Sequence, residues 1–288
     1  MPTILLPALT GLALLAQAAP SSASRSAAPI VAVVVEDRVG HEGYRFDYPS
    51  TFDTTSPVPH HFDQRYDTTG PWLRVSVAYW WLGAHGSTEV GLSTRRTALA
   101  SDVDTFFDPG GDVITSGTDG PVRRQAWSID QRFELAAAGA WTFGVTMGFA
   151  RARADFLPAD LVVTHTQPPS VASTFTTDRE STVSRLVQSG FTAAARWPFG
   201  HGWHAEIALD GLPIVSARLT TSLPDKFASN IVDSALSFAV RGRALVEHRL
   251  GRMTAGLEVG GSGARGYRHG AAYHERSVAA GLFLRIGG

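Results

Sequence analysis

The chain has 288 residues, no cysteine and a formal net charge of −1 at pH 7. A near-neutral charge argues against nucleic-acid binding as the main task, because neutralising phosphates requires a basic surface. The absence of cysteine excludes disulfides and thiolate catalysis. Only 18% of the residues are charged while 29 are glycine, which is typical of chains whose strands are closely packed.

An apolar run opens the chain. It extends from Ile4 to Ala19 and contains the small-residue pattern Ala16-Gln17-Ala18 near its end, as signal-peptidase sites do. We therefore predict a signal peptide at residues 1–19, although no Lys or Arg precedes the apolar run. The Ala- and Ser-rich residues 20–29 predict a flexible N-terminus. Residues 30–288 are then the folded domain.

The rest of the chain alternates with a period of two. Leu73, Val75 and Val77, for example, alternate with Arg74 and Ser76, and similar patterns recur in about ten segments, as in transmembrane barrels. One face of each strand is thus apolar and the other carries charged and small residues. Aromatic residues at the strand ends suit a lipid boundary. The pattern predicts an all-β fold, a closed antiparallel transmembrane β-barrel of about ten strands.

The spacing of the segments predicts the topology. Predicted strands lie at Val31–Tyr48, Pro71–Leu82, Thr88–Ala100, Arg124–Ala137, Trp141–Phe156, Val183–Trp197, Trp203–Thr220, Ile231–Glu247, Arg252–Gly266 and Glu275–Ile286. Short turns alternate with long polar connections at 49–70, 101–123, 157–182 and 221–230. Because outer-membrane barrels combine short periplasmic turns with long extracellular loops, we expect the protein in the bacterial outer membrane, surrounded by its lipids.

Two groups of side chains follow from this topology. Tryptophans near strand ends predict an interfacial aromatic girdle; they are Trp72, Trp81, Trp127, Trp141, Trp197 and Trp203. Charged residues on the opposite face are expected to pair and fill the lumen, because unpaired charges are costly away from water. The predicted lumen residues are Arg74, Glu89, Arg95, Asp130, Arg132, Glu134, Arg196, Glu206, Asp210, Arg218, Asp233, Arg241, Arg243, Glu247 and Glu258.

Motifs of soluble enzymes are missing from the sequence. It contains no nucleophile elbow, phosphate-binding loop, paired-histidine zinc helix or cysteine-rich metal site. The adjacent His60 and His61 lie in the first long connection, and neighbouring histidines on an extended segment seldom bind one metal ion. We predict neither a metal site nor a cofactor.

Several short segments resemble the omptins, a family of ten-stranded outer-membrane endopeptidases that cut beside basic residues. The matching segments are Trp80–Leu82, Ala100–Phe106, Asp119-Gly120, Ile129–Leu135 and Met147–Phe156, and the order of strands and loops agrees over most of the folded domain. The resemblance implies an extracellular cleft in which an Asp-x-Asp pair and an Asp-x-His pair hold a nucleophilic water.

The first catalytic pair is matched and the second is matched only in part. Asp102 and Asp104 correspond to the Asp-x-Asp pair, and repulsion between two such carboxylates raises the pKa of one of them into a useful range. Asp225 corresponds to the second aspartate, but Phe227 stands where the family has histidine. A phenyl ring cannot accept a proton, and losing a general base costs about 10²–10⁴ in rate. His165 and His269 lie in other loops. The alternative is that these aspartates belong to solvated turns.

A lipopolysaccharide site is also implied by the resemblance. Arg153 and Arg185 correspond to arginines of the omptin lipid A site, Phe149 stands for a tyrosine and Arg151 for an acidic residue. On the predicted fifth strand, Arg151 and Arg153 have the parity of the lipid-facing residues near the extracellular end, where arginines can bind lipid phosphates. The alternative is that they are ordinary arginines that reach from the rim into water.

Three functions are compatible with these features. The first is a non-proteolytic omptin-like surface barrel that acts as an adhesin, scaffold or interaction protein through its loops. The second is an active endopeptidase that uses Asp102, Asp104 and Asp225 with an unidentified base. The third is a small pore, which the density of opposite charges in the lumen disfavours.

Overall fold

A computed structural model of the chain describes residues 29–50, 58–81, 84–107, 113–156, 160–165, 172–176, 181–223, 228–268 and 270–286. These residues contain no helix that could cross a membrane. The strands are β1 (Ile30–Ser50), β2 (Val58–Asp67), β3 (Gly70–Trp81), β4 (Ala84–Ser93), β5 (Arg96–Phe107), β6 (Val113–Ala138), β7 (Trp141–Phe156), β8 (Asp160–His165), β9 (Ala172–Thr176), β10 (Ser181–Pro198), β11 (Trp203–Leu223), β12 (Ala228–Leu250), β13 (Met253–Arg268) and β14 (Ala271–Ile286).

Antiparallel pairing closes the sheet into a ring. β1 pairs with β14 from Val31 opposite Ile286 to Phe46 opposite Ala271. β2 and β3 form one position in the ring, interrupted at residues 68 and 69, and β4 and β5 form the next, interrupted at residues 94 and 95. The ring therefore has ten positions. The predicted fold, a closed antiparallel barrel of ten strands, is confirmed.

The long connections are less irregular than expected. The segment 49–70 contains β2, the segment 101–123 contains the ends of β5 and β6, and the segment 157–182 contains β8 and β9. β8 pairs with β6, and β9 with β8. The prediction missed these strands because their sequences are polar. Strands outside the membrane need no apolar face to form backbone hydrogen bonds. The barrel consequently extends well beyond the part that faces lipid.

The outer surface carries a band of exposed apolar side chains, as the alternation predicts. Residues of this face on four different strands have exposed fractions between 36% and 68%; they are Leu73, Val75, Ile129, Leu236, Phe238, Leu282 and Leu284. Phe133 has the same parity as Ile129 and is half-buried against Trp81, with ring centroids 5.7 Å apart. In water this band would be unfavourable, whereas in a bilayer it faces hydrocarbon.

Five of the six tryptophans expected in the girdle are exposed: Trp81, Trp127, Trp141, Trp197 and Trp203. Trp72 is not, and its prediction as a girdle residue is wrong. It is 7% exposed and lies in the lumen, where the guanidinium carbon of Arg38 is 4.1 Å from the ring centroid. Trp72 directly precedes the lipid-facing Leu73, and consecutive residues of a strand point to opposite faces.

Ion pairs cross the periplasmic and middle parts of the lumen. Arg74 of β3 contacts Glu36, Glu89 and, from β13, Glu258. Further pairs join strands that are not neighbours: Arg132 to Asp210 at 2.9 Å, Arg241 to Asp130 at 2.7 Å, and Arg124 to Glu42 at 2.8 Å. The expected salt-bridged interior is therefore present. A cavity of about 510 Å³ remains among these side chains.

The extracellular part of the lumen is filled differently. Buried aromatic and aliphatic side chains pack together there, above the ion-paired part of the lumen. The larger ones are Tyr44, Phe46, Phe62, Tyr66, Phe156, Leu212, Val215, Leu219 and Tyr273. They come from strands on all sides of the ring. The barrel thus has an ion-paired lower layer and an apolar upper layer.

The predicted signal peptide, residues 1–19, and residues 20–28 of the predicted flexible N-terminus lie outside the described residues. Pro29 directly precedes β1. The boundary of the folded domain therefore stays a prediction, although β1 begins at Ile30.

Candidate functional site

The first pair of candidate catalytic residues belongs to β5, above the lipid-facing band. The backbone of Asp102 pairs with Gln64 of β2 and Thr118 of β6, and that of Asp104 pairs with Phe62 and Ser116. Gln64 and Phe62 are 0% and 7% exposed. Both aspartates are therefore paired with residues that are buried inside the extracellular end of the barrel.

The second candidate pair belongs to the connection between β11 and β12. Asp225 and Phe227 lie outside the described residues, but the hairpin is defined to its last pair, Leu223 opposite Ala228. In the ring, β6, β7 and β10 separate β5 from β11 in one direction, and β2, β1, β14 and β13 separate β5 from β12 in the other. The extracellular ends of β5 and of the β11–β12 hairpin therefore lie on opposite sides of the barrel mouth. The distance between the catalytic candidates stays a prediction.

Aromatic and polar side chains form the floor between these segments. The Tyr66 hydroxyl is 2.6 Å from the hydroxyl of Thr182 and hydrogen-bonds Gln64. Tyr273 donates a 2.9 Å hydrogen bond to Glu275. Burial raises the pKa of Tyr273, as does the charge of Glu275. Its hydroxyl therefore stays protonated at neutral pH and acts as a hydrogen-bond donor.

One histidine has a register position that the sequence interpretation did not consider. His60 pairs with Phe106 of β5 and lies two residues before Phe62, the partner of Asp104. Positions 60, 62 and 64 have the same parity on β2. His165, in contrast, is on β8 opposite Ile114, and His269 lies outside the described residues. His60 lies in the long polar connection 49–70, where the sequence pattern predicts no strand and therefore no register for this residue.

No group of three His, Cys, Asp or Glu side chains that could hold a metal ion occurs within the described parts of the chain. His61 instead hydrogen-bonds Asp47 of the neighbouring strand. Burial raises the pKa of Asp47, but the hydrogen bond from His61 and the charge of Arg45 outweigh it, so the pKa lies below its usual value.

The second candidate site is on the outer surface at the extracellular edge of the apolar band. Arg151 of β7 is opposite Trp127 on one side and Arg185 of β10 on the other, and Arg185 is opposite Arg218 of β11. We call Arg151, Arg185 and Arg218 the arginine row. All three are exposed, and none has a hydrogen bond or ion pair with another described residue. Like charges on adjacent strands repel one another.

The remaining predicted lipopolysaccharide contacts adjoin this row. Phe149 is half-buried against Trp127, with ring centroids 5.2 Å apart. Arg153 is exposed and donates from Nε to Asp155 at 2.8 Å. Arg95, which was expected in the lumen, is instead exposed and lies 3.7 Å from the same carboxylate. It falls at the break between β4 and β5, where strand alternation no longer sets the direction of a side chain.

Arg218 was also expected in the lumen, and that prediction is wrong. Its strand has a register shift between Leu212 and Val215, and both Pro213 and Ile214 point outward. A bulge inserts one residue and reverses the parity of everything that follows. It turns Arg218 from the inside to the outside and completes the arginine row.

The closed ten-position ring, the exposed apolar band and the ion-paired lumen define a bacterial outer-membrane β-barrel. Among solved structures, the chain is similar to the outer-membrane protease OmpT from Escherichia coli, with a TM-score of 0.65 and 9% sequence identity over 93% of this chain and 99% of OmpT. The expected resemblance to omptins is thus confirmed for the fold.

Other similar structures are autotransporter barrels. The translocator domain of NalP from Neisseria meningitidis has a TM-score of 0.33 at 11% identity, over 98% of this chain and 96% of that one. The β domain of the Bordetella autotransporter BrkA has a TM-score of 0.38 at 13% identity, over 92% and 100%. No sequence-family model matches the chain, and no curated protein matches it either.

Proposed function

We propose that this protein is a non-proteolytic surface barrel of omptin-like fold, which acts as an adhesin, scaffold or interaction protein through its extracellular strands and loops. The observation that carries this proposal is a filled barrel interior beneath a wall of strands that extends outside the membrane on the extracellular side. β2, β5, the start of β6 and β8 extend the sheet beyond the lipid-facing band, and buried aromatic residues close the floor. Such a wall offers rigid backbone for binding a macromolecule.

Transport of solutes is disfavoured by the contents of the lumen. Arg74, Arg132 and Arg241 bridge strands across it, and each bridge would have to break for a solute to pass. Planar-bilayer recordings test this point directly. We expect no steady conductance from the purified protein, and stable open channels would support the pore instead.

Proteolysis is disfavoured by the chemistry of the second candidate pair. By the resemblance, Phe227 corresponds to the omptin histidine, and a phenyl ring cannot activate water. The decisive experiment is cleavage of a fluorogenic dibasic peptide with lipopolysaccharide present. We expect no turnover by the wild type. If Asp102, Asp104 and Asp225 are nevertheless arranged as in omptins, Phe227→His introduces the missing base and should give measurable cleavage. Wild-type cleavage that Asp102→Ala abolishes would contradict the proposal.

An active endopeptidase remains the second candidate, and the register of His60 favours it. Residues diagonal to one another on adjacent strands lie about 7–8 Å apart at Cα, and His60 has this relation to Asp104. A histidine near the first pair could replace the missing base. In that case the wild type cleaves the peptide and His60→Ala removes activity, whereas His61→Ala, the matched control, retains it.

Lipopolysaccharide is the lipid partner that we propose for the arginine row and its neighbours Phe149 and Arg153. Three adjacent cations without carboxylate partners among the described residues repel one another, and phosphates relieve that repulsion through charge-assisted hydrogen bonds. Arg185→Gln should therefore weaken lipopolysaccharide binding more than Arg153→Gln, because Arg153 already has Asp155 as its partner. Equal binding by wild type and the Arg185 variant would contradict this assignment.

A further inference from the structure

A second group of cations lies on the outer surface, on strands that the arginine row does not include. His41 of β1 is opposite Arg276 of β14, and His274 of β14 is opposite Arg265 of β13. We call these four residues the histidine-arginine patch. It spans three adjacent strands, or two interstrand spacings of about 4.8 Å. The four residues therefore form one continuous group on the outer surface, in two neighbouring rows of the sheet.

The patch lies directly above the apolar band. Val39 lies two residues before His41 on the same face of β1 and is 63% exposed. Val278 lies two residues after Arg276 on the same face of β14 and is 66% exposed. Side chains at this height meet the headgroups of the outer leaflet rather than its hydrocarbon. The surroundings of the patch therefore supply phosphate groups.

The side chains of the patch form no ion pairs with the described residues, although Asp67 of β2 is opposite His41 and Asp63 acts on His274. His41, Arg265 and Arg276 are exposed, and none of them has a hydrogen bond or ion pair with another residue that the structure describes. Two other arginines of this rim do have such partners: Arg45 contacts Asp47 at 3.3 Å and Arg65 contacts Asp63 at 2.9 Å. The difference singles out the patch as an anion site.

A glycine makes room for one histidine of the patch. The ring of His274 lies over Gly43, so closely that a Cβ at residue 43 would overlap it. The same ring lies against His41, with ring centroids 5.9 Å apart. The two imidazoles are consequently held side by side on neighbouring strands.

Charged and titratable groups approach the two histidines from every adjacent strand. Around His274 lie His41 and Arg45 on β1, Arg265 on β13, Arg276 on β14, and Asp63 and Arg65 on β2, while Asp67 of β2 is opposite His41. Burial lowers the pKa of His274, and the neighbouring His41, Arg65 and Arg265 lower it further against the opposing charge of Asp63. The imidazole of His274 is therefore mostly neutral at neutral pH when no anion is bound. A bound anion favours its protonation.

We propose that the histidine-arginine patch binds the phosphate of an outer-leaflet lipid headgroup, and that it binds more tightly as the pH falls. Arg265 and Arg276 hold the phosphate at all relevant pH values, whereas His274, whose ring lies against His41, adds its charge only when it is protonated. The arginine row contains no histidine, so its affinity should not change over the same pH range.

The test counts bound lipids by native mass spectrometry, with dihexanoyl phosphatidylglycerol as the probe, because its phosphodiester keeps one charge between pH 5 and pH 7.5. The wild type should bind several-fold more tightly at pH 5. Arg265→Gln/Arg276→Gln should weaken binding to this site roughly tenfold or more, since each arginine near a membrane surface contributes about 1 kcal/mol. Arg151→Gln/Arg185→Gln, which alters only the arginine row, should keep the pH dependence.

Further variants and probes separate the alternatives. His41→Asn/His274→Asn should remove the pH dependence but keep binding at pH 7.5, and Gly43→Ala should reduce the pH dependence by displacing the His274 ring. Dihexanoyl phosphatidylcholine should bind weakly at both pH values. Unchanged lipid binding by Arg265→Gln/Arg276→Gln overturns the proposal. Displacement of the lipid by equimolar inorganic phosphate also overturns it, because the site would then be one for the free anion.

Discussion

The lower and upper layers of the barrel interior are filled by opposite chemistry. Ion pairs such as Arg74 with Glu258 connect strands across the lower layer, whereas Tyr44, Leu212 and Tyr273 pack together in the upper layer. The lower layer lies inside the apolar band and the upper layer mostly beyond it. Inside the membrane the outer face must be apolar, so the charged and polar residues of each strand are placed within. Beyond the band this constraint ends, and the interior can become an ordinary apolar core.

The two layers should respond differently to mutation, and Arg74→Met is expected to have the largest effect. It leaves Glu36, Glu89 and Glu258 without their shared cation, and breaking a buried ion pair costs about 3–5 kcal/mol. Urea unfolding in lipid vesicles, followed by the mobility shift of folded barrel on gels, measures the loss. Arg45→Met, at an exposed pair with Asp47, should cost about 1 kcal/mol or less. Equal losses would mean that the lumen network does not stabilise the barrel.

The pair between Glu42 and Arg124 lies at the boundary of the two layers, and both side chains are almost fully buried. Arg124→Met alone should destabilise by about 3 kcal/mol because it leaves a buried carboxylate unpaired. Glu42→Leu together with Arg124→Met should cost much less than Arg124→Met alone, since apolar neighbours can accept an apolar pair. A double-mutant cycle measures this coupling. Additive losses would contradict the interpretation of the boundary as half apolar.

Leu212→Ala probes the apolar layer. Leu212 is 1% exposed, so the substitution should leave a cavity and cost about 2–5 kcal/mol, at the lower end if neighbouring side chains relax. Leu282→Ala on the lipid face is the matched control and should cost less than about 1 kcal/mol, because lipid fills the space. If both variants unfold at the same urea concentration, the upper layer is loosely packed.

Acidification should have the smallest effect, and it should be confined to the extension of β1 and β2. The folded pKa of Asp47 lies below its usual value near 3.8, so its contribution is present above that value and is lost as the pH falls through the lower folded pKa. Protection factors of the amides of Asp47 and His61 from hydrogen exchange should fall in this range. In Asp47→Asn they should be low already and independent of pH.

Local alternation was enough to determine much of this protein. It predicted the lipid-facing residues, most of the lumen charges and the ten ring positions, because within the membrane one face of every strand must meet hydrocarbon. Leu73 and Leu282 could be assigned outward without any knowledge of their neighbours. The outward parity of Arg151 and Arg153 followed from the same rule.

Features that depend on pairing could be decided only by the tertiary structure. The bulge at residues 213–214 turns Arg218 outward; Pro213 is a local sign of an irregular strand, but only the strand pairing shows that the parity changes there. Strand β2 within the first long connection, and with it the register of His60 beside Asp104, depends on backbone hydrogen bonds to β1 and β5. The histidine-arginine patch likewise joins residues more than 200 positions apart, and only ring closure between β1 and β14 brings His41 next to Arg276. Sequence alternation sets the face of most residues, whereas strand pairing and closure of the ring set their neighbours and the places where the alternation shifts.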